Sequence, residues 1–315
     1  MSDRHVLVVG SGPSGVHFAQ TALDKGYEVT MLDVGREAGP PVLPDARFDE
    51  LKERLDDPAA YFLGESFQGV LLPDAEKEYY GIPPGKQYVF EDPSRFIQSS
   101  DGFEPLFSFA RGGLAEAWTA GCYPFNAGEL ADFPFSYDTL APHYDEVASR
   151  IGITGAIDDL SRFYPVHQHL QPPLPLDRHS DLLVQAYGRH RGFLNTRLGA
   201  YLGRTRVATL TQDLHGRQPC TRLGRCLWGC PRGALYTPSQ TVTALKSRSR
   251  FHYRPGLEVL YFTADANGRA VTLVARAVAG REIATFPVSQ LALAAGTLST
   301  TAIMLRSARL AGEPV

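Results

Sequence analysis

An unbroken apolar run, His5 to Val9, opens the chain and stops at Gly10, which predicts a short strand. Pro13 to about Lys25 follows with helical periodicity and Glu28 to Leu32 returns to strand character, so the chain begins as a β-α-β unit. From Gly35 to about Phe107 the pattern dissolves into prolines, glycines and charged residues, as in "AGPPVLP" and "GIPPGK", and only Asp45 to Leu55 keeps a helical spacing. A stretch of that length is no simple connection, and residues 38–107 are expected to form a lid and interface. "FSFARGGLAEAWTAGCYPFN" then mixes small and aromatic residues. Gly112 and Gly113 there free the backbone for a close approach, or serve only a turn beneath a buried Trp118.

Leu140, Tyr144, Val147 and Ile151 recur at helical spacing, and Gly152 supplies the stop. Residues 161–205 read as a second domain or part of one, in which "PVHQHLQPPLPLDRH" leads irregularly into an apolar helix near Asp181 to Tyr187. Beyond Phe251 alternation returns. "LEVLYFTA", "AVTLVARAV" and "EIATFPV" predict strands, with turns at "DANGRA" and "AGRE". The closing "QLALAAGTLSTTAIMLRS" predicts a buried strand, a glycine and a helix, and looks like a further strand of the opening sheet reached late in the chain. The fold class is α/β with a Rossmann-like first domain.

Composition narrows the partners more than the fold. Of 315 residues 43% are apolar and 21% charged, enough for a real core spread over two domains. A net charge of −3 and a pI near 6.3, with Lys and Arg scattered singly, give no electrostatic reason to expect nucleic acid or an anionic membrane. "MSDRHVLVVGSG" has no leader pattern and its apolar run is far short of a membrane span. The four cysteines are not dispersed as in a disulfide scaffold, since Cys220, Cys226 and Cys230 cluster and Cys122 stands apart. A cytoplasmic location is expected.

Candidate chemistry begins at "GSGPSG", Gly10, Ser11, Gly12, Pro13, Ser14 and Gly15. Gly10 permits a tight turn, Gly12 lets backbone approach a pyrophosphate, and Gly15 allows close helix-strand packing, while amides and helix dipole face an anion. Asp33 ends the second strand where a carboxylate can accept hydrogen bonds from a ribose. Strand, glycines, helix, strand and acid in register predict a bound dinucleotide.

Taken in order, "VLVVGSGPSG" with Asp33, "RGGLAEAW", "CLWGCPRGA" and "LALAAGTLSTTAIML" resemble the glucose-methanol-choline family of FAD-dependent oxidoreductases over nearly the whole chain. The resemblance implies FAD, with its ADP half over Gly10 to Gly15 and Asp33. Gly112 and Gly113 would lie along the flavin side, the backbone around Val259 would meet the adenine, and Ala295 with Gly296 belong to the closing signature. Where many relatives have asparagine after the double glycine this chain has Glu116, the residue then expected beside the flavin. The implied organisation places the FAD-binding domain in 1–37, 108–135 and part of 211–315. The lid would be 38–107, and a partial substrate or cap region 136–210.

The implied activity is oxidation of an alcohol group on a sugar or other polyol, with electrons passed to an acceptor, so a dehydrogenase. Family members supply the base from a later histidine with a histidine or asparagine partner, and this sequence stops at "RLAGEPV" before that motif. No catalytic residue is assigned, and neither His143 nor His215 is promoted to the role. The expectation is either the amino-terminal part of an enzyme or a flavoprotein completed by a second polypeptide. The alternative is a non-catalytic module that binds FAD or a partner. An NAD-dependent dehydrogenase is disfavoured by the double glycine and the closing segment.

Cys220, Cys226 and Cys230 stand as C-x5-C-x3-C with Pro231 following, a spacing from which thiolates can converge on one iron-sulfur cluster. The arrangement is similar to a segment that holds a three-iron (3Fe-4S) cluster in some members of the same family. Inert buried thiols, or zinc with His215 as fourth ligand, remain open as readings. Cys122 reads as a small buried residue. His167 and His169, at i and i+2, share a face only on a strand and make a weak metal pair.

Overall fold

Residues 4–38, 44–67, 69, 82–91, 94, 101–102 and 105–312 are described by the structure, a computed structural model. The chain divides into two units. The first comprises Met1–Val42, Leu51–Trp118 and Thr237–Val315, and the second Leu43–Glu50 and Thr119–Tyr236. Of the expected lid, 38–107, residues 39–43, 68, 70–81, 92–93, 95–100 and 103–104 lie outside the described residues.

The first unit is built on a parallel sheet. Strand β1 (His5–Val9) leads into helix α1 (Pro13–Asp24) and strand β2 (Glu28–Leu32). Two short helices follow, α2 (Phe48–Arg54) and α3 (Pro58–Leu63), the latter capped by the Asp57 side chain. In the second unit α4 (Tyr137–Ile151) is capped by Ser136 and ends at Gly152 (φ 72°), and α5 (Arg178–Phe193) is capped by Asp177. The chain then returns to the first unit with α6 (Pro238–Leu245), β3 (Phe251–Arg254), β4 (Leu257–Ala264), β5 (Ala270–Ala277), β6 (Ile283–Pro287), β7 (Leu291–Leu293) and α7 (Thr297–Leu310).

The parallel sheet runs β3-β2-β1-β7, with Val6 opposite Val29 and Leu7 opposite Leu291. Strands β4, β5 and β6 form a separate antiparallel sheet. This explains why β1 reads as a continuous apolar run. Val6 and Val8 pack on one face with Val16, Ala19 and Leu23 of α1 and Val242 and Leu245 of α6. Leu7 and Val9 pack on the other with Val259 and Leu273 of the antiparallel sheet and Ile303 of α7. A strand covered on both faces has no side to leave polar. Burying four such side chains stabilises the unit by roughly 1.5–3 kcal/mol each before entropy is counted.

The late return to the opening sheet is as the sequence predicts, although β7 is half-buried rather than buried. Strand β3 and helices α3 and α6 are additions to the pattern reading. Helix α5 is longer than Asp181 to Tyr187 and none of its residues is buried. The apolar spacing there reflects exposed Leu182 and Leu183 and not a core face. Among the described residues no helix is long and apolar enough to cross a membrane.

Candidate functional site

A cavity of about 480 Å³ opens in the first unit where the carboxyl ends of β1, β2 and β7 meet the amino ends of α1 and α7. It has the size of a small-molecule site and the place in an open parallel sheet where ligands bind. Gly10, Ser11, Gly12, Pro13, Ser14, Asp33, Gly113, Val259, Ala295 and Gly296 line it. Gly15, Gly112 and Glu116 do not.

The three glycines of the opening loop do three different things. Gly10 has φ 97°, and a Cβ there would stand 2.5 Å from the Ala294 carbonyl oxygen, so the turn passes tightly against the end of β7. A Cβ on Gly15 would stand 2.0 Å from the Gly10 carbonyl oxygen, which closes α1 onto the turn. Gly12 caps α1 at φ −62°, and a Cβ there would meet nothing within 4 Å. It is the open side of the cradle. Neither α1 nor α7 has an acidic residue in its first turn, so unpaired amides and the positive dipole ends of both helices are unopposed.

Asp33 is buried at the edge of this cavity. Its carboxylate accepts hydrogen bonds from the hydroxyls of Ser11 and Tyr253, the latter at 2.9 Å. Burial nevertheless pushes its carboxyl up to about 6, against those hydrogen bonds. Burial and the neighbouring Asp33 push the Tyr253 phenol up as well. The Ser11 hydroxyl also accepts from the Gly112 amide at 2.8 Å, so one side chain ties the glycine loop, the end of β2 and the double-glycine segment together. Gly112 (φ 99°) and Gly113 (φ 65°) both adopt left-handed backbone, which restricts them to glycine at low cost.

Glu116, expected beside the flavin, stands outside the cavity lining. Its carboxylate turns to α6, where it accepts from the Ser239 amide at 2.9 Å and from the Ser239 hydroxyl at 3.0 Å. Thr237, at the cap position of α6, makes no side-chain cap, so Glu116 supplies the missing acceptor from another segment. Burial raises its carboxyl and these hydrogen bonds and Lys86 oppose the rise. The Lys86 ammonium donates to the Glu116 carbonyl at 2.5 Å, and burial lowers the Lys86 pKa against the attraction of Glu116. A residue expected beside a ring is thus a buried cap in an ion-paired cluster.

The cavity fits a dinucleotide cofactor on its own features: an open glycine cradle, two unopposed helix ends, and a buried carboxylate at its edge. Ser299 adds to the cavity wall a buried hydroxyl with no hydrogen-bond partner among the described residues. Sequence reasoning did not single it out, and only its place two residues into the helix after Gly296 could have flagged it. Arg306 and Glu258 also line the cavity, the latter paired with Arg276 at 2.7 Å.

In the second unit Cys220, Cys226 and Cys230 line one small cavity of about 50 Å³. All four cysteines are free thiols. Cys226 is exposed as a residue and the others are half-buried, yet burial raises the Cys226 thiol. Burial raises the Cys122 thiol. Among the described residues no three Cys, His, Asp or Glu side chains stand together as a set that could hold a metal ion. The donor chemistry suits a cluster, but the sulfurs as placed are not a ligand set, and zinc with His215 or at His167 and His169 meets the same objection. His167 instead faces Asp145 at 3.6 Å, and burial lowers its pKa.

No family model matches the chain. It is 27% identical over 264 residues to the 2-methyl-1,2-propanediol dehydrogenase of Mycolicibacterium austroafricanum, covering 79% of this chain and 42% of that protein. It is 24% identical over 304 residues to the paromamine 6'-oxidase of Streptomyces fradiae, covering 96% and 49%. Among solved structures, pyridoxine 4-oxidase from Mesorbium loti superposes with a TM-score of 0.53 at 15% identity over 96% of this chain and 51% of that one. A fungal aryl-alcohol oxidase does so with 0.53 at 13% identity over 100% and 50%. The two structures bear on the fold alone. The chain spans about half the length, or less, of the curated relatives it matches.

Proposed function

We propose that the chain is a member of the glucose-methanol-choline family of oxidoreductases, that it binds FAD in the cavity of about 480 Å³ and that it serves the oxidation of an alcohol group on a polyol. The observation that carries the reading is Asp33, a buried carboxylate beside an open glycine cradle. Ribose hydroxyls donating to it would replace the hydration that burial removed. In this reading Gly12 brings backbone amides to the pyrophosphate, and the amino ends of α1 and α7 offset its charge. Ser11 holds Asp33 and the Gly112 to Gly113 backbone in register. Val259 at the floor of the cavity packs on the adenine. FAD, when bound, supplies the acceptor for a hydride leaving the alcohol carbon.

No base is assigned within the described residues, and a partner polypeptide or further chain completing the substrate side is part of the proposal. The polyol substrate class is supported by the names of the relatives, one a diol dehydrogenase and one an oxidase of paromamine. No electron step is routed through Cys220, Cys226 and Cys230, whose sulfurs do not form a ligand set. The domain segments expected from sequence belong to the same proposal, with the cavity lined by the first and last of them and by Leu106 to Trp118 between.

The test is the visible spectrum of the purified protein, with extraction and identification of any released flavin, for the native chain and Gly12→Ala. FAD near one per chain in the native protein and its loss in the variant supports the reading. A colourless native protein that takes up no added FAD overturns it. Flavin that no diol or sugar reduces anaerobically would leave an FAD-binding module and overturn the enzymatic part.

A further inference from the structure

The first unit contains a further cavity, of about 380 Å³. Val34, Phe109 and Glu258 line both this cavity and the larger one, so the two stand back to back across one wall. The opening glycines, Asp33 and Val259 line the larger cavity or its loop and take no part in the smaller one. The smaller cavity is therefore separate from the dinucleotide cradle.

Its lining is divided between apolar and charged side chains. Val34, Phe109, Ala277 and Val278 make the apolar part. Arg36, Arg276 and Arg281 make the charged part, with Glu258 as the carboxylate among them. Arg276 donates to Glu258 at 2.7 Å, and Arg36 pairs with Glu91, which stands outside the lining. Arg281 is exposed and has no hydrogen-bond or ion-pair partner among the described residues. With Glu91 counted, one guanidinium remains uncompensated.

Arg281 follows Gly280 (φ 90°) in the turn between β5 and β6 and is itself left-handed, at φ 65°. The Ala277 amide closes this turn onto the Glu282 carbonyl at 2.8 Å. The turn thus carries an arginine where glycine is the less strained residue. A guanidinium presents paired N–H donors that match the two oxygens of a carboxylate. The apolar part of the lining gives an aliphatic or aromatic body a place out of water.

We infer that this second cavity is a binding site for a small organic acid, an apolar body bearing one carboxylate, with Arg281 as the residue that takes the carboxylate. A cavity of this volume suits such a molecule. Glu258 and Glu91 leave one positive charge to be met, which favours a monoanion over a polyphosphate. The site goes beyond the oxidation of an alcohol and does not depend on FAD binding.

The experiment uses the whole chain as purified, native and as Arg281→Gln and Arg281→Gly, with benzoate as the probe. Affinity is read by calorimetric titration at fixed ionic strength. Benzamide supplies the same body without the charge, and sulfate supplies charge without the body. The expected result is saturable benzoate binding at one site per chain, with benzamide and sulfate at least tenfold weaker. Both variants should lose at least tenfold in benzoate affinity. Arg281→Gly should at the same time keep or raise the thermal midpoint, since glycine relieves the left-handed backbone, so the lost binding is not lost folding. Saturating AMP, which carries the adenosine and a phosphate of the cofactor, should leave benzoate bound. Competitive displacement by AMP would assign benzoate to the larger cavity and overturn the inference. Benzoate affinity unchanged in Arg281→Gln, benzamide or sulfate bound as tightly as benzoate, or no saturable benzoate binding each overturns it as well.

Discussion

Burial holds the Asp33 carboxyl at about 6, so the folded chain keeps a proton there that the unfolded chain has already released. A folded pKa above the unfolded value favours folding most below about pH 4 and loses that advantage as pH rises through about 6. At neutral pH the penalty is about 3 kcal/mol. Asp33→Asn should therefore raise the thermal midpoint of the FAD-free protein at pH 7 and flatten its fall between pH 4 and 6, while weakening FAD binding about tenfold or more. Calorimetric scans across that range, with and without FAD, check both signs. The glycines separate stability from binding in the same way. Gly12→Ala, whose new methyl meets nothing, should change stability by about 1 kcal/mol or less and still obstruct FAD. Gly15→Ala drives a methyl to 2.0 Å from a backbone oxygen and should cost about 3 kcal/mol or more, read as a shift in urea midpoint. The roles of Gly10, Gly12, Gly15 and Asp33 were legible because each follows from backbone chemistry at a fixed offset. The burial of Arg225 was not legible, since a single arginine between glycines and cysteines reads as surface.

Helix α6 depends on a residue far from it in sequence. Removing the Glu116 acceptor in Glu116→Ala should cost about 1–2 kcal/mol, whereas Glu116→Gln, which keeps one acceptor oxygen, should cost less. Urea titrations of the pair would show whether the loss follows the cap. The strands β4, β5 and β6 were readable from their β-branched and aromatic runs between turn residues, although only β6 alternates in exposure. Strand β3 escaped notice because it is four residues long with only Phe251 buried, too short for a period to register. Helix α6 did announce its start through Thr237 followed by Pro238, a cap and first-turn pair, yet its eight residues carry too few apolar positions to stand out. The contacts of Glu116 with Ser239 were not legible either. Its partners are set by tertiary contact and no local pattern encodes them.

The first unit needs both ends of the chain. Deleting everything after Val288 would remove β7, the neighbour of β1, and with it the Ala294 to Arg306 wall of the cavity. Such a chain should retain no FAD, and protease should cut it within β1 and β2, where the native chain resists. The sheet pairing across this distance was legible because "LALAAG" repeats the apolar-run-then-glycine form of "VLVVG". A second domain was legible at 161–205, but not its full bounds, since both units are discontinuous in sequence.

That pairing also sets a schedule at the ribosome. Strand β1 is followed soon by its neighbour on one side, β2, while its neighbour on the other, β7 (Leu291–Leu293), is made long after it. At about 5–20 residues per second, one edge of β1 waits on the order of 15–60 seconds for β7 to emerge. During that interval an apolar strand presents unsatisfied amides and carbonyls to whatever else is being synthesised nearby. The nascent chain is then a client for holding chaperones, and cooling a cell that makes this protein should raise its soluble yield more than strengthening its promoter.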